Sequence, residues 1–403
     1  MKKGFGFFLI VIFALLAWLL SPSIGRAQDT ERWSRPVSVS GFLPGSWFPA
    51  LAVDSNGDAH ATWAVTQGEG NDVLYYGRWD GLAWSRPVDI QLGGSRSALA
   101  VDRGGLLHLV YVADTKGIYE RAPIERAAIA QAWSSPHVLN TGSGNVFSAQ
   151  IGIDSHGTVH LVWTESTKNC TNCYQVLYTN STDGGTSWSA ARALNNLPAA
   201  RLRVQLDIDD QDVLRVVWDG LSNRGRAQSA VYTFSTDYGT TWAQPKEFLG
   251  TPPPSQTTIG TFGANHVMLI WRALGQGQIF FQTSTDNGIT WSGTNIMPGI
   301  SAGLPTSGFD RFATVTDSSG TLHLAAVGQL SDKAPPTLYH LTWDGKAWSK
   351  PTAVYDGPDF PEFPNLALSG GNRLHLAWFT RGHDNITGPP DDTYHVWYII
   401  VFS

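Results

Sequence analysis

The sequence has almost no cysteine: two in 403 residues, Cys170 and Cys173. One Cys-x-x-Cys pair without a second pair or a nearby histidine cannot complete a tetrahedral zinc shell. No βαβ pattern surrounds it, which argues against a redox-active dithiol. In an exported chain the same spacing reads as a small disulfide, Cys170 to Cys173, that clips one loop. Charge is scarce too. Charged residues make up 15%, the net charge is −6 and no Lys/Arg run occurs, so the electrostatic footprint of a nucleic-acid binder is missing. A nucleotide-binding loop, a Ser/His/Asp order and a metal-ligand cluster are likewise absent from the pattern. These absences leave no cofactor and no metal to expect.

Aromatic residues and turn formers are plentiful instead. There are 17 Trp, 42 Gly and 22 Pro, the composition of a turn-rich all-β protein with aromatic packing. Seven of the tryptophans are nearly evenly spaced: Trp33, Trp84, Trp133, Trp188, Trp242, Trp291 and Trp348, with steps from 49 residues (Trp84 to Trp133) to 57 (Trp291 to Trp348). A period of this size marks a repeat architecture.

Each unit reads as four strands. An apolar strand, a polar turn and a second apolar strand come first, as in "ALAVDSNGDAHATWAV" from Ala50 and "QIGIDSHGTVHLVWTE" from Gln150. A third strand follows, and a turn then leads to a fourth that opens on the repeated Trp. Four strands per unit is the β-propeller plan. The expected fold is an all-β, seven-bladed propeller of four-stranded blades; a six-bladed ring is the alternative. The first Trp strand lacks three strands before it, and the last unit lacks a fourth strand. The N-terminal strand is therefore expected to complete blade seven, which removes an exposed sheet edge.

Lys2 and Lys3 precede an apolar stretch from Phe5 to Leu20, with Gly25 and Ala27 at −3 and −1 cleavage positions. This is a secretory signal pattern. Residues 1–27 are expected to be a signal peptide, or an N-terminal membrane anchor if uncleaved. Residues 28–403 are then a single exported propeller domain, expected as a monomer.

Three turns between third and fourth strands are sharper than the rest. They are "STDGGTSW" (Ser181, Asp183, Gly185, Trp188), "STDYGTTW" (Ser235, Asp237, Gly239, Trp242) and "STDNGITW" (Ser284, Asp286, Gly288, Trp291). An Asp can accept N–H groups within its own turn, Gly takes a positive φ and Trp packs beneath the hairpin. The pattern S-x-D-x-G-x-x-W resembles the Asp-box (BNR) repeat of sialidases and related propellers. The resemblance implies a structural role for these turns, on the face opposite the active site. It further implies an arginine triad for a substrate carboxylate, and a tyrosine nucleophile paired with a glutamate. In that family the first arginine stands in an RIP motif; here "SWFPALAVDSNG" places Trp47 at that position. No tyrosine is assigned as nucleophile.

In a propeller, the starts of first strands and the ends of second strands meet at one mouth. Six residues before the first turn the blades carry Phe48, Arg96, Ser148, Arg203, Gln256, Arg311 and Phe363. Arginine thus recurs in blades two, four and six, a set suited to a carboxylate, sulfate or phosphate. Second-strand ends add Glu165, Asp219, Arg272 and Arg381, while Asp310 and Glu362 flank first-strand entries. The long connection "FTRGHDNITGPPDDTYH" of blade seven opens on the same face. His60, His108, His160, His323 and His375 share one repeat position; a residue repeated in every blade reads as packing and hydrogen bonding. The same holds for Trp63, Trp163, Trp218, Trp271 and Trp378. The function expected is binding of a glycan or other anionic ligand at the mouth. An exo-α-sialidase-type hydrolase is the first alternative and a protein-interaction scaffold the second.

Overall fold

The computed structural model describes residues 32–67, 71–142, 144–167, 173–195, 200–221, 227–248, 254–273, 277–302, 312–383 and 390–402. The expected signal segment, Cys170, Asp310 and Arg311 lie outside them. Cys173 is disulfide-bonded, and Cys170 is the only other cysteine of the chain.

Seven four-stranded antiparallel blades form a ring. Blade one runs through Ser46–Val53, Ala59–Gln67, Asn71–Trp79 and Val88–Leu92. The pattern then repeats from first strands at Gly94–Val101, Val146–Ile153, Ala200–Ile208, Pro254–Thr261, Phe312–Thr316 and Phe360–Ser369. These first strands line the centre, each in contact with the next, and the last touches the first. A six-bladed ring is excluded. Blades three and four share one hydrogen-bonded sheet only through the pairing of Tyr174 with Ala200.

The N-terminal segment closes the circle. Arg32 and Trp33 pair with Phe402 and Val401, and Val37 and Ser38 pair with Tyr398 and Trp397. Backbone bonds Ser34 N–H to Ile400 O (2.8 Å) and Val39 N–H to Val396 O (2.9 Å) complete the seam. The strand His395–Phe402, "HVWYIIVF", would otherwise be a bare apolar edge.

Adjacent blades are sealed by a repeat position that lies six residues after each periodic tryptophan. Val39, Ile90, Leu139, Leu194, Met297 and Val354 occupy it and are 1–8% exposed. Each packs on the second strand of the next blade, as Ile90 does on Leu109 and Tyr111. An aliphatic side chain buried this way contributes roughly 1.5–3 kcal/mol. Blade four carries Phe248 there, and Phe248 is only half-buried.

The face opposite the mouth is tied by a second repeated device. In blades one to three one aspartate at the first turn works with both oxygens. Asp54 Oδ1 accepts the N–H groups of Asn56 (2.8 Å) and Asp58 (3.0 Å). Its Oδ2 faces His60 Nε2 at 3.4 Å, and His60 Nδ1 faces Tyr76 Oη at 2.7 Å. Asp102–His108–Tyr119 and Asp154–His160–Tyr178 repeat the arrangement. A carboxylate can only accept, so Nε2 carries the proton and Nδ1 accepts from the tyrosine O–H. Blade six substitutes His340 for the tyrosine, and blade seven Ser369 for the aspartate. In blade four Arg215 replaces the histidine, with Nη1 2.7 Å from Asp209 Oδ2.

The Asp-box-like turns dock on these tyrosines. Gly185 (φ +83°) and Gly239 (φ +78°) lie against Tyr119 and Tyr178 of the preceding blade, so closely that a Cβ would collide with the phenol. Both the positive φ and that contact require glycine. Within the turn, Asp183 Oδ1 accepts N–H from Thr186 (3.0 Å) and Ser187 (2.9 Å), and Ser187 Oγ donates to Oδ2 at 2.6 Å. Asp237 and Asp286 do the same with Thr241 and Thr290. The Thr290 hydroxyl and N–H, with the Ser284 hydroxyl, hold Asp286 down at about 2. Cations from the preceding blade cap these turns: Arg121 binds Gly184 O, Arg192 binds Gly239 O and Lys246 binds Ile289 O.

Candidate functional site

At the mouth every fully described first strand carries a bulge. The register shifts between Trp47 and Ala50, Ser95 and Ala98, Val146 and Ser148, Ala200 and Val204, Ser255 and Thr258, and Glu362 and Asn365. The position six before the first turn sits in this bulge. Phe48 (φ 49°), Arg96 (φ 42°), Gln256 (φ 53°) and Phe363 (φ 53°) all adopt left-handed backbone there. Such a conformation costs a non-glycine residue on the order of 1–2 kcal/mol. Through a bulge the strict alternation of strand faces fails. The one-residue offset between Trp47 and the arginine position therefore does not turn Arg96 to the opposite face in the way an unbroken strand would.

The bulges gather one cluster across blades seven, one, two and three. Phe48 is buried and stacks on Trp47 (4.3 Å between centroids), with Phe363 and Phe379 edge-on at 5.1 and 5.8 Å. The Arg96 guanidinium lies 5.1 Å from the Phe48 ring and 4.1 Å from the Phe147 ring. A planar cation between two aromatic faces is held in place by both. Arg96 is half-buried. Beside it, the half-buried Asp72 accepts the Thr66 hydroxyl at 2.7 Å. Burial raises the Asp72 pKa, while the hydrogen bonds from Thr66 and Trp47 and the charge of Arg96 pull it down.

The other sequence candidates fall into different settings. Arg381 and Glu362 form a buried ion pair (2.9 Å, each side chain 2% exposed), and Arg381 also bonds His383 O and lies 5.1 Å from the Phe360 ring. The Glu165 carboxylate accepts the N–H groups of Thr141 (2.9 Å) and Gly142 (3.1 Å), holding the entry to blade three. Asp219 accepts the N–H groups of Gln256 (2.9 Å) and Thr257 (3.2 Å), tying blade four to blade five. Arg272 is buried, and Arg203 is half-buried at the bulge of blade four. His383 and Asp391 pair at 2.8 Å across the long connection of blade seven. Asp72 and Phe147 were not singled out from the sequence. Neither sits at a position whose residue type repeats between blades, so periodicity gave no signal for them.

Among the described residues no group of three or more His, Cys, Asp or Glu is placed to hold a metal ion. Trp63, Trp163, Trp218, Trp271 and Trp378 are all buried. The histidines are buried, and burial lowers the pKa of His60, His108 and His160 and brings His375 to about 4. Their folded values lie below the unfolded value near 6.5. Their contribution is therefore complete above that pH and is lost as pH falls towards the folded values. Glu120, raised to about 7 by burial, and Asp207, raised to about 6, act in the opposite direction. The His375 part is isolated by comparing the native chain with His375→Phe in urea at pH 7 and pH 4.5. The native chain should lose roughly 2–3 kcal/mol more than the variant on acidification. Equal losses would refute a neutral buried His375.

No protein-family model and no curated protein matches the chain. Solved structures do. The BP39L lectin from Burkholderia pseudomallei is 14% identical over 86% of this chain and 99% of its own, with a TM-score of 0.57. A protein of unknown function from Dyadobacter fermentans is 13% identical over 92% and 99%, with a TM-score of 0.55. NanB, a sialidase from Streptococcus pneumoniae, is 13% identical over 92% and 70%, with a TM-score of 0.50. At these identities the likeness shows the fold alone, which the chain shares with the lectin and with NanB.

Proposed function

We propose that this chain is an exported, monomeric Asp-box propeller that binds an anionic glycan at its mouth. The observation that carries the reading is Arg96, half-exposed between Phe48 and Phe147 and beside Trp47 and Asp72. A guanidinium held by aromatic faces loses little freedom when it pairs with a carboxylate or sulfate. Aromatic neighbours supply flat apolar surface for the C–H face of a sugar. Arg203 is the next candidate around the ring.

Binding rather than hydrolysis is the reading because Trp47 stands where the sialidase resemblance calls for arginine. On an array of sialylated, sulfated and neutral glycans, the purified chain should prefer the anionic ones. Arg96→Ala should weaken that binding at least about tenfold, the loss of one charge-assisted bidentate contact. A fluorogenic α-sialoside should not turn over between pH 4.5 and 7.5. Turnover abolished by Arg203→Ala would overturn the reading in favour of a hydrolase. Neither binding nor turnover would leave a protein-interaction scaffold. Export predicts a mature N-terminus after Ala27, read by mass spectrometry of the secreted chain.

A further inference from the structure

We infer that Glu120, a buried carboxyl in the seam between blades one and two, is a positioning residue for Arg96; the inference rests on the reading of the mouth as an anion site. Two exchanges set blade two apart. Five blades put tryptophan three residues after the position shared by the histidines, and blade two has Tyr111 there. On the third strand, opposite the residue that follows the shared position, blades one and three carry Gly77 and Thr179; blade two carries Glu120. In blade one the Trp63 ring lies 3.4 Å from where a Gly77 side chain would begin. In blade two the smaller tyrosine leaves that space to the carboxyl. Strand alternation turns Glu120, Leu109 and Tyr111 to one face, towards Leu74 and Tyr76 of blade one.

Glu120 is 1% exposed. The Tyr111 O–H donates to its Oε1 at 3.3 Å, and the Gln91 amide of blade one donates to its Oε2. Both partners hold the crossing from blade one to blade two. Gln91 opens that crossing, and Gly93 N–H then donates to Asp72 O at 2.8 Å. The Tyr111 ring packs so closely on Gly94 that a Cβ there would lie 3.1 Å from it. Two residues on, the bulge between Ser95 and Ala98 holds Arg96. The carboxyl thus fixes the segment that delivers Arg96 at Gln91 and, through Tyr111, at Gly94. Tyr111 and Gln91 are the titratable and polar groups that face it, and among the described residues no charged side chain acts on it. Burial holds the Tyr111 phenol above its usual range, so it stays a donor. An ionised Glu120 is therefore a buried charge without a counter-ion, which is a costly state. Burial brings the carboxyl up to about 7. It is neutral in acid, and the anchor loosens as pH rises through that value.

The test follows Arg96 in the full chain. The Cζ–Nε resonance of Arg96, assigned by its loss in Arg96→Lys, reports the ring currents of Phe48 and Phe147. It should move between pH 5.5 and 8.5 with a midpoint near 7. Over the same range, affinity for the glycan that binds best on the array should fall about threefold. Glu120→Gln is neutral at every pH and keeps both hydrogen bonds once the Gln91 amide turns over. It should hold the resonance and the affinity at their acid values. Asp72 titrates beside Arg96 in both chains, so only the part removed by Glu120→Gln belongs to Glu120. Glu120→Leu is also neutral but loses both bonds, and should weaken binding about threefold at either pH. Identical pH curves for the native chain and Glu120→Gln, or native affinity in Glu120→Leu, would overturn the proposal. If no anionic glycan binds, the reading of the mouth fails, and the resonance in the native chain and Glu120→Gln still decides the role of Glu120.

Discussion

Deleting residues 32–40 should unseal the ring and leave a chain that aggregates instead of melting cooperatively. The segment supplies the whole fourth strand of blade seven. It buries Val39 almost completely and packs Trp33 partly against the blade-six to blade-seven core. Burial of such side chains is worth about 1.5–3 kcal/mol each, and each backbone bond about 1 kcal/mol. The sum is on the order of 5–10 kcal/mol, comparable with the net stability of a whole domain. The lost strand would also bare the edge of "HVWYIIVF", an apolar β-sequence with low charge. Thermal unfolding and light scattering of the truncated chain, beside the intact one, test this. An unchanged melting temperature with no aggregation would show that blade seven stands without its N-terminal strand.

Glu362→Ala should destabilise the protein by about 3–5 kcal/mol, because it strands the buried Arg381 guanidinium without its carboxylate. The double variant Glu362→Leu/Arg381→Met should recover most of that loss. Removing both charges also removes both desolvation costs, and apolar replacements of similar size are often neutral. Urea denaturation of the two single variants and the double variant gives the coupling energy directly. Additive effects would show that the two side chains do not act as a pair. The same series bears on function: if the pair only holds the mouth of blade seven in shape, the double variant keeps the glycan binding ascribed to Arg96.

The parts of the fold that were legible are those that repeat. Trp33 to Trp348 set the blade period, and the surplus Trp strand at the N-terminus predicted the closure with the last strand. The shared position of His60, His108, His160, His323 and His375 read correctly as packing, and each lies in the same hydrogen-bonded arrangement. Within the Asp-box-like turns, the roles of Asp183 and Gly185 followed from turn chemistry alone. What periodicity did not announce was the partner of that glycine, Tyr119 of the preceding blade, because the contact crosses between blades.

The site was harder to read, for a definite reason. Arg96 was singled out because arginine recurs at one repeat position, but the bulge that holds it left no mark in the pattern, since a bulge is a backbone event with no fixed residue type. Glu165, Asp219, Glu362 and Arg381 read from the sequence as candidate ligand contacts at the mouth. Glu165 and Asp219 bind backbone N–H groups of neighbouring connections, and Glu362 and Arg381 bind each other. Their polarity was visible in the chain; their partners were not.

The chain alone determined its all-β repeat, its number of blades and the strand that closes them, because these depend on short-range periodicity and on counting. Only the tertiary structure decided which polar side chains at the mouth bind the protein itself, as Glu165, Asp219 and the Glu362–Arg381 pair do. The rest depends on bulges that re-aim first-strand residues such as Phe48 and Arg96. A bulge is a slip of register within a hairpin and requires no particular residue type, so the repeat pattern does not mark it.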